Sequence, residues 1–123
     1  MKNSLTLLAS LPADEAAALL IGRVWIDGSG PVLVLVTAAG VFDLSSVAPT
    51  ASQLLELPAP AQAVRAAAPA LPRLASTAEV LANSAADVRK PGQPWLLAPC
   101  DLQAIKAAGV TFVASMLERV IEE

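Results

Sequence analysis

Histidine and tyrosine are absent from this 123-residue chain, and Cys100 is its only cysteine. Without imidazole and with one thiol, neither a His-based catalytic pair nor a zinc site of nitrogen and sulfur ligands can be assembled. A lone cysteine also forms no internal disulfide, in keeping with a reducing cytoplasm. Aromatic residues make up 3% of the chain, so the core must come from Leu, Val, Ile and Ala. Basic charge is scarce as well. Eight Lys and Arg stand scattered against eleven Asp and Glu, for a net charge of -3. That balance argues against a nucleic-acid partner, because phosphate neutralisation needs clustered cations.

Long apolar runs are missing too. The hydrophobic fraction is 55% and the mean hydropathy +0.61, but much of this is alanine. No stretch approaches the ~20 apolar residues that span a bilayer. The longest block, "PVLVLVTAAGVF", is broken by Thr37 and Gly40 and suits a buried strand. At the N-terminus Lys2 precedes a short patch, Leu5 to Leu11, in the manner of a signal peptide. Thr6 and Ser10 interrupt that patch and the following region is acidic, so the expected location is cytoplasmic.

What is present reads as a single α+β domain over residues 1–123, a size suited to one modest core. "LLIGRVWI", "DGSGP" and "VLVLVTAAGVFDL" describe a hairpin with a Gly-rich turn and a third short strand after "AAGV". Thr50 is placed to cap a helix carrying Leu54, Leu55 and Leu57. Pro58, Pro60, Pro69 and Pro72 predict loops and short helical turns between them. Ser76 with Glu79 has the spacing of a capping box. "DVRKPGQP" is a surface turn and "WLLAP" a strand ending at Pro99. Asp101 to Ala108 fits no single period, and Asp101 is able to cap a helix ending at Gly109. The expected architecture is a small antiparallel β-sheet with short helices and a C-terminal helix.

That last helix has no stop signal. Phe112, Met116, Leu117, Val120 and Ile121 recur at helical spacing, and Glu122 and Glu123 sit where a helix dipole favours cations. Thr111, Ser115, Glu118 and Glu122 fall on the opposite face, a polar stripe of the kind any amphipathic surface helix carries. Other charged and aromatic residues admit plain readings. Asp14 and Glu15 are adjacent and do not converge, Lys106 reads as surface, and Arg23 reads as an ion pair or a carboxylate ligand. Trp25 and Trp95 read as core or interdomain contacts. Cys100 has no neighbouring His or Lys to activate it.

The segments "WLLAPCDLQAIKAAGVTFVASMLERVIEE", "LIGRVW", "GPVLVLV" and "VFDLSSVAPTASQLL" resemble the fumarylacetoacetate hydrolase family, in particular its branch of 2-keto-3-deoxy sugar-acid dehydratases of the xylonate and arabinonate type. The resemblance implies an N-terminal domain whose natural chain continues beyond Glu123 into a catalytic domain. That domain would hold Mg2+ or another divalent cation on a Glu-x-Glu pair and a later Asp, and no Glu-x-Glu occurs here. Carried over residue by residue, the family's pattern implies Glu118 as the catalytic carboxylate. Thr111, Ser115 and Arg119 would bind substrate, a small 2-keto acid, and this chain would bind no metal. Ser115 stands where the family's hydrolases have a His, which disfavours carbon–carbon bond hydrolysis and favours dehydration. The partner implied is the C-terminal catalytic domain, with a homo-oligomer compatible. Alternatives are a hydrolase of the same family, a noncatalytic docking or dimerisation module, and an independent small binding protein.

Overall fold

The computed structural model describes residues 6–14 and 18–102. Its centre is a five-stranded antiparallel sheet with spatial order β4-β3-β2-β1-β5. Strand β1 (Leu20–Ile26) and strand β2 (Gly30–Val36) pair from Leu20 with Val36 to Ile26 with Gly30. The three residues between them turn because Gly28 and Gly30 take φ of +89° and +83°, a region that side chains with a Cβ avoid. Strand β3 (Val41–Asp43) returns along β2, and strand β4 (Arg73–Ala75) closes that edge through an irregular register at Val41 and Phe42. Strand β5 (Trp95–Leu97) lines the other edge against β1.

Alternation along β2 sorts the core into two faces. Leu33 and Leu35 join Leu44, Leu54, Val64 and Leu71 on one side. Val34 joins Val24, Val41 and Val80 on the other. The first face is covered by helices α2 (Ala51–Leu55) and α3 (Pro60–Ala67). The second is covered by α4 (Thr77–Ala85), part of the connection that carries the chain from β4 at one edge to β5 at the other. A four-residue helix, α1 (Leu7–Ser10), lies beside α4. The fold is therefore α+β, with an open antiparallel sheet between short helices.

Local signals account for most element ends. The Thr50 hydroxyl accepts from the Gln53 amide, and the Ser76 hydroxyl accepts from the Glu79 amide. Between Pro58 and Pro72, where loops and short helical turns are expected, the chain forms two short helical pieces. Residues 60 to 67 form a two-turn helix, because Pro60 occupies the first turn, where its missing N–H costs nothing. The alanines that follow favour helix, and Val64 anchors it in the core at 1% exposure. Buried Asn83 ties down the following turn, donating to the carbonyls of Lys90, Gln93 and Pro94 and accepting from the Lys90 amide. Ser84 bridges α4 and β5 by donating to the Val80 carbonyl at 2.6 Å and accepting from the Leu96 amide at 2.8 Å.

Candidate functional site

Thr111, Ser115, Glu118 and Arg119, the residues assigned to the site from sequence, lie outside the described residues. So do Glu15, Lys106, the apolar stripe from Phe112 to Ile121, the alternative helix from Asp101 to Gly109, and the extended stretch that the resemblance implies at Ala104 to Ala107. The structure does define the stem from which that segment departs, residues 95 to 102. From the sequence, Trp95 to Pro99 read as a strand, Cys100 as an unactivated thiol and Asp101 as able to cap a following helix.

The stem is fixed twice. First, Trp95 to Leu97 pair with Trp25, Val24 and Arg23. By alternation with buried Val24, both Arg23 and Trp25 face the side of the sheet that carries α2. The two indole rings stack with centroids 6.3 Å apart and an interplanar angle of 27°. The Arg89 guanidinium lies over the Trp95 ring at 5.5 Å, and the Trp25 indole N–H donates to Asp27 at 2.8 Å. Half-buried and engaged with each other, these rings pack the edge of the sheet.

Second, beyond Pro99 the chain is pinned by Asp101. Its Oδ2 accepts from the Ala51 amide at 2.7 Å. Its Oδ1 accepts from the Ser52 hydroxyl at 2.6 Å, the Ser52 amide at 3.1 Å and its neighbour Leu102's amide at 2.6 Å. The Leu102 amide also reaches the Ser52 hydroxyl at 3.2 Å. Arg23 completes the cluster. Its Nε stands 3.7 Å from Asp101 Oδ2, and its terminal nitrogen donates to the carbonyls of Ala98 at 3.2 Å and Cys100 at 3.0 Å. Of the two readings open to Arg23, the structure shows the ion pair.

This geometry follows from what a short helix lacks. The first amides of α2 have no intrahelical acceptors. Thr50 satisfies that of Gln53, and Asp101, some fifty residues away in sequence, satisfies those of Ala51 and Ser52. A carboxylate suits the positive end of the helix. The Ser52 hydroxyl, first among the causes, holds the Asp101 carboxyl well below the usual carboxylate range. Desolvation opposes this, and the amides of Leu102, Ala51 and Ser52 add to it.

The sign of the pH dependence follows. A depressed folded pKa stabilises above the unfolded value of about 3.9 and is lost as pH falls below it. The Asp101 carboxyl carbon should therefore show its NMR inflection at lower pH than an ordinary aspartate does. An inflection near pH 4 would mean that the pin is open.

Two apolar concavities flank the sheet. One, about 200 Å3, is lined by Leu19, Ile21, Leu54, Leu55, Pro60 and Val64 among others. The second, about 270 Å3, lies between β1 and α4 and includes Leu11, Leu20, Val36, Val80 and Leu96. Among the described residues no titratable side chain lines either. Among the described residues no group of three or more His, Cys, Asp or Glu is placed to hold a metal ion. No helix among them is long and apolar enough to cross a membrane. Comparison with protein-family models, curated proteins and solved structures finds no match to this chain.

Proposed function

We propose that this chain is the N-terminal domain of a cytoplasmic enzyme of the fumarylacetoacetate hydrolase family that dehydrates a 2-keto-3-deoxy sugar acid. The observation that carries the reading is the motif run from Trp95 to Glu123, with Glu118 at the family's carboxylate position and Ser115 in place of its His.

In this reading Glu118 takes the proton from the carbon beside the ketone and, as the carboxylic acid, returns it to the hydroxyl on the next carbon, which leaves as water as the carbon–carbon double bond forms. Thr111 and Ser115 hold substrate oxygens, and Arg119 meets the substrate carboxylate with a bidentate pair of hydrogen bonds. The described residues do not fit a divalent cation, and none of these steps passes through one. The Mg2+ that the resemblance implies belongs to the partner catalytic domain, where it would polarise the keto acid.

Calorimetry with Mg2+ and Mn2+ tests this division of labour. Hard cations need several convergent oxygens, so the 123-residue chain should give no resolvable heat of binding and no turnover of any 2-keto acid. The complete enzyme should bind the cation. Micromolar binding by the chain alone would contradict the reading.

A further inference from the structure

We propose that the concavity between β1 and α4 is a binding site for a small uncharged apolar molecule, an aromatic ring or a short alkyl chain. Its volume is about 270 Å3. An apolar cavity of about 150 Å3 already holds benzene, so the space suits a ligand of this class. Val41, Val80 and Leu81 in the lining are buried, and Leu20, Val36 and Leu96 are half-buried. The polar side chains in the described lining are Thr77 and Ser10. The buried Thr77 hydroxyl is already engaged in donating to the Thr37 carbonyl, and Ser10 is exposed. Ordered water needs several polar partners, which this lining lacks, so an apolar ligand that displaces it gains the free energy of leaving water. A carboxylate or ammonium would lose its hydration with nothing in return.

Gly22 distinguishes a kept space from a packing flaw. Glycine inside a strand weakens it and offers no side chain to pack, so its presence marks a backbone demand or the close approach of something else. No backbone demand exists here. Gly28 and Gly30 take positive φ, whereas Gly22 does not, and it pairs in regular register with Val34. Packing within the chain does not demand it either. A Cβ built on Gly22 would rest 3.7 Å from Val36 and 3.9 Å from Val34, ordinary contact distances, on the face that carries α4. A β-branched side chain, the usual choice for a strand, would extend into the concavity that Gly22 lines. The missing side chain leaves the room that a ligand would take.

Toluene serves as the probe. Titrated into the 123-residue chain and followed by amide NMR, it should give saturable shifts at Gly22, Val36, Val80 and Leu96 with a Kd of about 1 mM or tighter, within what so small a ligand can supply. Benzoate has a similar shape but carries a charge, and should bind about 10-fold more weakly or worse. Gly22→Val should weaken toluene binding about 10-fold or more, because its side chain takes up the ligand's space. Thermal unfolding shows whether that variant folds. Gly22→Ala, whose methyl meets only ordinary contacts, should give a smaller loss of the same sense and decides the matter if valine unfolds the chain. Leu55→Ala, in the other concavity, should leave toluene binding unchanged. Absence of saturable shifts, shifts centred on Leu19, Leu54 and Val64, or equal affinity for toluene and benzoate would overturn the proposal. Affinity for toluene unaltered in the folded Gly22 variants would do the same. Toluene binding that emerges only on dilution of the protein would also overturn it, because a second copy of the chain would then be the occupant.

Discussion

Leu44→Ala should cost about 2–5 kcal/mol of folding stability, the range found when a fully buried leucine leaves a cavity. Leu44 is 0% exposed and packs among Leu33, Leu35, Leu54, Val64 and Leu71, where sheet, α2 and α3 meet. Its backbone is committed as well. The amide donates to the Leu33 carbonyl at 2.8 Å, and its carbonyl accepts from Val47 and Ala48. The site has little freedom to collapse around a smaller side chain. Against the ~5–15 kcal/mol by which domains of this size are usually stable, such a loss is a large fraction of the total. Urea unfolding of the two proteins measures it. Leu55→Ala, at a residue 55% exposed, serves as the control and should stay within about 0.5 kcal/mol. Equal effects at the two positions would contradict the placement of the core.

The second large effect is catalytic. Glu118→Gln in the complete enzyme should lower turnover about 100-fold or more, because it removes a titrating carboxylate while keeping its shape. The same substitution in this chain should change stability by no more than about 0.5 kcal/mol, as surface changes do, since helical spacing puts Glu118 opposite the apolar stripe. Kinetics in one protein and thermal unfolding in the other separate the two roles. Unaltered turnover would remove Glu118 from the chemistry and favour a docking or dimerisation module.

The elements legible in the sequence were those whose signals are local. Alternation from Leu20 to Val36 around a turn with Gly28 and Gly30 specified the hairpin, and Thr50 and Ser76 announced α2 and α4. The helix from Pro60 to Ala67 was legible only as short helical turns, because prolines mark loops in general but start a helix when placed in its first turn. Three-residue β4 is too short to show a period. The roles of Asn83, Ser84 and Asp101 had no local signature, since each satisfies backbone groups that only the folded chain brings near. Asp101 was noticed as a possible cap for the residues after it, whereas the structure shows it capping α2 some fifty residues before. The candidate site was legible only through the family resemblance, because its polar stripe is what any exposed helix face would show.

The central claim, that this chain belongs to an enzyme that removes water from a 2-keto-3-deoxy sugar acid, is tested most directly by the products. The complete enzyme, supplied with Mg2+, should be offered a 2-keto-3-deoxy pentonate and, separately, a diketo acid with a cleavable carbon–carbon bond, and the products weighed by mass spectrometry. The account predicts loss of one water from the sugar acid with its carbon skeleton intact, and no cleavage of the diketo acid. Cleavage of the diketo acid with the sugar acid untouched would contradict it.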